Sequence, residues 1–279
     1  MPTDIDVAFV LGGGGMLGAA EVGMLRALAE AEIRPDVVVG TSVGAINGAM
    51  VAADPLVASG RLETLWNDLA EGGPFDSSLV TRIRTFARSR THLHDIDDLR
   101  RMIASELPVE SFEELTIPFH CVAASIERAA PRWFTSGPLL EPVLASAAVP
   151  GLFPPVEVDG EHHYDGGLVH SIPLGRALRE GARTIYVLQV GRIEVPLERP
   201  TSLIEVGLVT FEIARRNRFN EEMARIPEGV DVHVLPTGGA EPVRYDSVRE
   251  QLDYRDTTSV SERIAAAYRA SRDYLEAQR

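Results

Sequence analysis

Two strand–turn–helix patterns in the first fifty residues constrain the fold of this chain most strongly. An apolar run at residues 5–11 ends in glycines, and a helical pattern follows at 19–31. A second apolar run at 37–39 ends at Gly40, and a helix rich in small residues begins at Val43. Strands that alternate with helices over so short a distance are typical of a parallel sheet with helices on both faces. The sequence therefore predicts an α/β fold.

The rest of the chain continues this pattern with one interruption. Residues 60–107 have helical spacing and no clear strand, which predicts a helical excursion from the sheet. Strands are expected at 117–125, 132–135, 154–158, 162–164, 184–190 and 231–235, and helices at 139–148, 202–225 and 260–275. A length of 279 residues fits one large α/β domain, so we expect residues 1–279 to form a single domain.

Composition excludes several classes of protein. The formal net charge of −14 disfavours binding to nucleic acid, because phosphates would be repelled. The acidic N-terminus has no signal-peptide pattern, and the run at 5–11 is too short to span a bilayer, so a cytoplasmic protein is expected. Cys121 is the only cysteine, which excludes an intramolecular disulfide and a cysteine-based metal site. Its apolar neighbours place Cys121 in a core strand.

The segment Gly40-Thr41-Ser42-Val43-Gly44 lies between the second strand and its helix. Gly-x-Ser-x-Gly in that context is typical of a nucleophile elbow, in which a sharp turn projects the serine hydroxyl from the sheet edge. The helix N-terminus that follows favours negative charge on a reacting carbonyl. The structural alternative is a tight connection in which Ser42 only caps the helix.

A glycine loop at residues 12–18 joins the first strand to the first helix. Gly13, Gly15 and Gly18 match a dinucleotide-binding fingerprint, but that site needs an acid at the end of the second strand. Asp36 precedes the strand instead, and no Gly-Lys-Ser/Thr follows to make a P-loop. The other interpretation is an oxyanion hole, since consecutive glycines expose amides that can converge on a carbonyl oxygen. This loop would lie beside Ser42 if the first two strands are neighbours.

A nucleophilic serine needs a base, and the sequence offers two kinds. His170 and His233 follow a candidate acid and could complete a Ser–His–Asp triad. Asp165 lies in the turn Asp165-Gly166-Gly167 after an extended segment, and a carboxylate beside a serine hydroxyl can accept its proton directly. We favour Asp165, because Gly166 and Gly167 allow the backbone to approach the site closely.

A basic segment at 77–94 contains four arginines and no acid, namely Arg82, Arg84, Arg88 and Arg90. Its apolar residues have helical spacing. Such a helix can rest on a membrane surface or cover an active site, although a helix packed on the sheet has the same pattern.

Taken together, the glycine loop 12–18, Gly40 to Gly44 and Asp165 to Gly167 resemble the patatin-like phospholipase family, as does the segment 145–155. The resemblance covers residues 5–190 and is not diagnostic over 200–279. It implies a three-layer α/β/α sandwich with a mainly parallel sheet, and hydrolysis of lipid acyl esters without metal or cofactor. By position it implies Ser42 as the nucleophile, Asp165 as the base, and the amides of Gly13, Gly14 and Gly15 as the oxyanion hole. Gly12, Gly18, Gly40, Gly44, Gly166 and Gly167 would support these groups.

One position departs from the family pattern. The family usually has Arg or Lys immediately before the last glycine of the loop, and this chain has Leu17. The missing cation favours an esterase or lipase acting on neutral esters over a phospholipase. The expected partner is a lipid or ester substrate, with transient contact to a membrane surface. The alternatives from other classes are a dinucleotide-binding protein and a catalytically silent lipid-binding relative.

Overall fold

The computed structural model describes residues 5–70, 92, 94–107, 109–190, 193, 196–197, 199–201, 203–238 and 257–278. Within these ranges the strands are β1 Val7–Leu11, β2 Val37–Thr41, β3 Phe119–Ser125, β4 Ala130–Phe134, β5 Val156–Val158, β6 Glu161–Asp165, β7 Thr184–Leu188 and β8 Asp231–Val234. The helices are α1 Ala19–Glu30, α2 Val43–Ala53, α3 Ala58–Ala70, α4 Ile96–Glu106, α5 Leu140–Ser146, α6 Gly167–His170, α7 Leu174–Arg179, α8 Leu203–Met223 and α9 Thr257–Ala277. Gly15–Gly18 and Phe112–Glu114 form 3₁₀ turns.

The strands form one sheet in the order β5-β6-β3-β2-β1-β7-β8, and β4 also pairs with β3. The pairs from β3 through β2, β1 and β7 to β8 are parallel. The pairs that involve β4, β5 and β6 are antiparallel. β2 and β3 are buried along their whole length. Parallel strands that are covered on both faces are continuous apolar runs, which is the pattern of the valines in β2.

Two apolar cores lie on opposite faces of this sheet. Phe9 and Leu11 of β1 belong to the core that includes residues of α1, α2 and α9. Ala8 and Val10 belong to the other core, which includes residues of α7 and Phe219 of α8. Successive side chains of a strand point to opposite faces, so these two clusters are separate layers. The predicted three-layer α/β/α sandwich with a mainly parallel sheet is confirmed.

One edge of β3 is divided between two strands, and this division locates the candidate site. Thr41, the last residue of β2, pairs with Val122. Asp165, the last residue of β6, pairs with Ala123, the next residue along β3. β4 pairs with both Val122 and Ala123, so it occupies the other edge. The ends of β2 and β6 therefore meet head to head on the same edge of β3.

The strands and long helices expected from the sequence are present, with bounds that differ by a few residues. α6 and α7 were not expected, because each is a single short turn of helix next to glycine or proline. The helical excursion contains α3 and α4, but residues 71–91 lie outside the described residues. The four arginines of the basic segment are among them. No helix in the described ranges is both long and apolar enough to cross a membrane.

Candidate active site

Ser42 occupies a strained turn between β2 and α2. Its backbone angles are φ 56° and ψ −126°, in a region that residues with a side chain rarely adopt. The turn is also tightly packed, since a Cβ atom placed on Gly44 would lie 2.5 Å from the carbonyl carbon and oxygen of Leu11. Such strain costs about 1–3 kcal/mol and is concentrated at functional sites. This turn therefore has the backbone that the sequence motif predicts.

The side chain of Ser42 contacts Asp165 directly. Ser42 Oγ donates a hydrogen bond of 2.5 Å to Asp165 Oδ2. The other carboxylate oxygen, Oδ1, accepts a hydrogen bond of 2.7 Å from the amide of Gly167. Both side chains are buried. Burial raises the pKa of the Asp165 carboxyl to about 6, although the hydrogen bonds from Ser42 and Gly167 oppose the shift. A base with a pKa near 6 is ionised at neutral pH and still has some affinity for a proton.

Ser146 holds the two halves of this pair together. Its hydroxyl donates to the carbonyl of Val122 at 2.6 Å and accepts from the amide of Ser42 at 2.9 Å. Its own carbonyl accepts from the amide of Gly166 at 3.1 Å. Ser146 thus connects β3, the Ser42 turn and the Asp165 turn. Ser146 lies in the segment 145–155 that resembles the family, but no sequence pattern in that segment predicts its role.

The glycine loop lies against the Ser42 turn. The register pairs Leu11 of β1 with Gly40 of β2, so the two strands are neighbours, as the oxyanion interpretation requires. A Cβ atom placed on Gly13 would be 3.2 Å from Ser42 Cβ. The Gly13 amide donates to the carbonyl of Ser171 at 2.8 Å. The described residues provide no acceptor for the amides of Gly14 and Gly15.

A buried polar cluster lies behind this loop. Asn47 Nδ2 donates to the carbonyl of Gly18 at 3.2 Å and to Glu21 Oε2 at 2.8 Å. Trp66 Nε1 donates to Asn47 Oδ1 at 3.2 Å. Complete burial raises the pKa of Glu21 well above its usual range. The cluster connects the end of the glycine loop to α2 and α3, which fixes the start of α1 relative to the Ser42 turn.

A cation reaches the loop from a distant helix. Leu17 leaves the loop without its own charge, but Arg263 of α9 donates to the carbonyl of Met16 at 3.2 Å. A cation is therefore present at the backbone of the loop, although not at the position that the family pattern gives it. The sequence gives no sign of this contact, because Arg263 and Met16 are 247 residues apart.

The histidines considered as bases for Ser42 make other contacts. No histidine hydrogen-bonds to Ser42 or Asp165, and all seven histidines are among the described residues. His233 stacks on Tyr186, with 4.9 Å between ring centroids. The His170 ring packs against Trp133, while its carbonyl accepts from Thr41 Oγ1 at 2.7 Å. A histidine triad is therefore not formed in this structure.

Asp36 and Cys121 are not positioned to bind a nucleotide or a metal ion. Asp36 Oδ2 accepts from the amides of Asp6 and Val7, at the end of the sheet opposite to Ser42. Cys121 is buried in β3, which raises the pKa of its thiol to about 12. Over the part of the chain that is described, no cluster of three or more His, Cys, Asp or Glu side chains could hold a metal ion.

A three-layer α/β/α fold with a buried serine–aspartate pair at the sheet edge defines the class of site. The sequence model of the patatin-like phospholipase family matches residues 9–178, and the chain belongs to that family. The match ends before α8 and α9, so Phe219 and Arg263 lie beyond it.

Several known proteins resemble this chain. Patatin-like phospholipase domain-containing protein 7 of Mus musculus is 32% identical over 193 residues, which are 68% of this chain and 14% of that protein. Lysophospholipase nte1 of Aspergillus terreus is 30% identical over 197 residues, 67% of this chain and 12% of that protein. The chain thus spans a small part of these relatives. The crystal structure of VipD from Legionella pneumophila has a TM-score of 0.49 and 14% identity, covering 99% of this chain and 67% of that one.

Proposed function

We propose that this chain hydrolyses carboxylic esters of lipids through an acyl-enzyme on Ser42, with Asp165 as the base. The observation that carries this proposal is the 2.5 Å hydrogen bond from Ser42 Oγ to Asp165 Oδ2. Family membership supports a lipid ester as the substrate. The names of the relatives, a lysophospholipase among them, support the same class.

In the first step Ser42 Oγ attacks the ester carbonyl carbon while its proton moves to Asp165 Oδ2. The carbonyl oxygen becomes an oxyanion, for which we propose the amides of Gly14 and Gly15 as donors. The Gly13 amide already donates to Ser171, so its share in this role requires that bond to open. When the intermediate collapses, Asp165 returns the proton to the departing alcohol, and the acyl group remains on Ser42.

In the second step water attacks the acyl-enzyme. Asp165 accepts a proton from the water, and the oxyanion forms again at the same amides. Collapse of this intermediate breaks the ester to Ser42, which regains its proton from Asp165, and the carboxylic acid leaves. Losing one oxyanion donor typically costs about 2.7–4 kcal/mol in the transition state, so Gly14 and Gly15 would supply much of the rate.

The test is covalent labelling with a fluorophosphonate, which reacts with activated serines. Wild type should label and Ser42→Ala should not, while Ser105→Ala, a variant of an exposed serine on α4, should label like wild type. The esterase activity of the same proteins is measured by their hydrolysis of p-nitrophenyl esters. Equal labelling of wild type and Ser42→Ala would exclude Ser42 as the nucleophile.

The head group is tested separately. Leu17 favours a neutral ester, whereas Arg263 at the carbonyl of Met16 places a cation near the loop. We propose that the site hydrolyses both phospholipids and neutral lipid esters. Comparing hydrolysis of phosphatidylcholine vesicles with that of a neutral diacylglycerol in the same vesicles tests this. Equal rates would show that the loop does not select for phosphate.

A further inference from the structure

Large apolar side chains are exposed close to Asp165. Leu168 of α6 is 50% exposed, and Phe211 of α8 is 38% exposed. Between residues 206 and 211, α8 carries no charged side chain. A patch of exposed apolar side chains marks a surface that binds an apolar group. The position of Phe211 relative to Ser42 and Asp165 indicates which apolar group this surface would bind.

Phe211 lies next to the candidate base. A Cβ atom placed on Gly167 would be 2.9 Å from Asp165 Oδ1 and 3.3 Å from Phe211 Cζ. The tip of the ring and Asp165 Oδ1 therefore lie close to the same point above Gly167. Gly167 is the same residue whose amide binds Asp165 Oδ1. A side chain at this position would fill the gap between ring and carboxylate.

α8 is held in place against the Asp165 turn. Arg218, two helical turns after Phe211 and on the same face, donates to the carbonyl of Val169 in α6. Further along, Glu222 Oε2 accepts from the amide of Gly175 at 2.8 Å. Both polar contacts lie after Phe211 on α8, and they hold the helix that carries Phe211 against the segment that follows Asp165.

Among the described residues, the first two arginines that follow Phe211 on α8 are already paired with an acid. Arg215 and Arg216 both pair with Glu212, at 2.9 and 3.1 Å. One helical turn before Phe211, a Cβ atom placed on Gly207 would meet no atom within 4 Å. An extended apolar group could lie along this strip, starting at Asp165 and passing over Phe211.

We propose that Phe211, together with the exposed Leu168 of α6, holds the acyl chain of the ester that Ser42 attacks. The inference rests on the proposed function and adds the subsite that selects the chain. An ester carbonyl at Ser42 brings its acyl chain within reach of this ring, because the ring lies beside the carboxylate that contacts Ser42. Phe211 lies on a helix beyond the residues that the family model matches.

The experiment measures kcat/KM for p-nitrophenyl esters from acetate to decanoate, each below its micelle concentration. One methylene moved from water to an apolar contact is worth about a fourfold change in affinity. A ring contact with two methylenes is worth at most about 15-fold when fully buried, and about tenfold is expected at this partly exposed ring. Phe211→Ala should lower kcat/KM about tenfold for decanoate and less than twofold for acetate, and Phe211→Leu should restore part of the loss.

Ile213→Ala is the matched control. Ile213 is 55% exposed on the same helix, but it lies two positions along and on a different face from Phe211. The control should leave the chain-length profile unchanged. An equal loss for acetate and decanoate in Phe211→Ala would overturn the subsite, and so would a matching effect of Ile213→Ala. If Phe211→Ala bound phosphatidylcholine vesicles less well than wild type but kept the same chain-length profile, the subsite would also be overturned, in favour of a membrane contact.

A binding measurement separates this proposal from the proposed function. Decanoate is titrated calorimetrically into Ser42→Ala and into Ser42→Ala/Phe211→Ala, neither of which needs to turn over substrate. The second variant should bind about tenfold more weakly. If wild type hydrolyses no ester but decanoate binding still depends on Phe211, the subsite stands and the hydrolase proposal fails. Equal binding by both variants would exclude the subsite whatever the activity.

Discussion

Residues 5–190 and the helices after residue 200 contribute to the same site in different ways. In the first region short motifs at strand ends place Ser42, the glycine loop and Asp165, and the parallel sheet brings these ends together. In the second region single side chains reach the site from long helices, Phe211 from α8 and Arg263 from α9. The proposed chemistry is thus local in sequence, whereas the surroundings of that chemistry depend on how helices dock.

The largest expected effect tests the first region. Asp165→Asn keeps the size of the side chain but removes the base, so kcat/KM should fall about 10³-fold, within the usual range for a general base. Asp36→Asn is the control, since Asp36 binds backbone amides at the opposite end of the sheet. Steady-state ester hydrolysis measures both. If Asp165→Asn retained a tenth of wild-type activity, the base would have to be another group.

The next effect tests how much the packing of α9, in the second region, on α1, in the first region, contributes to stability. α9 packs along α1, and a Cβ atom placed on Gly23 would lie 2.2 Å from the carbonyl oxygen of Ile264. Gly23→Ala should therefore lower the free energy of unfolding by about 3 kcal/mol, because two backbones must separate. Urea denaturation measures the change.

Gly60→Ala is the matched control for that substitution. Gly60 is in α3, where an added Cβ would meet no atom within 4 Å. Alanine in an open helix position should stabilise by about 0.5–1 kcal/mol. If both variants behaved alike, the close contact between α1 and α9 would carry no weight in stability.

A smaller effect is expected from pH. Asp165 must be ionised to accept a proton, so kcat/KM should rise about tenfold per pH unit below its pKa of about 6 and then level off. The free energy of unfolding should change in the opposite direction. A raised pKa makes the folded state hold its proton longer, so stability falls as pH rises from about 4 to about 6. Asp165→Asn should remove that part of the pH dependence of stability, and a wild-type rate that is flat between pH 5 and 8 would contradict the assignment.

The smallest effect concerns the strained turn. Ser42→Gly and Ser42→Ala both lose the hydrogen bond to Asp165, but only glycine adopts φ 56° and ψ −126° without strain. The glycine variant should be more stable than the alanine variant by about 1 kcal/mol. Denaturant midpoints of the two variants measure this difference. Equal midpoints would mean that the turn stores little strain.

The sequence predicted the first region well, because its information is local. A strand that ends in a glycine turn before a helix predicts the backbone at Ser42, and the neighbouring β1 and β2 follow from two such units. The short helices α6 and α7 were missed, since a single helical turn has too few residues for a periodic pattern. The roles of Ser42, Asp165 and the glycine amides stay predictions until the variants are measured.

The remaining contacts of the site could not be predicted. Phe211 and Gly167 are far apart in sequence, and so are Arg263 and Met16. Their contacts depend on where α8 and α9 pack, which no local spacing specifies. Ser146 was missed for a related reason, because its three hydrogen bonds join β3, the Ser42 turn and the Asp165 turn, which are distant in sequence.

The divided edge of β3 has a consequence for folding kinetics. Ser42 and Asp165 are 123 residues apart, and they meet only when β2 and β6 have both docked on β3. Such distant pairings form late, since the intervening chain must be ordered before they are made. During refolding, reactivity of Ser42 towards a fluorophosphonate should therefore lag behind the recovery of helical circular dichroism. A partly folded chain would already contain the Ser42 turn and yet not react with the probe.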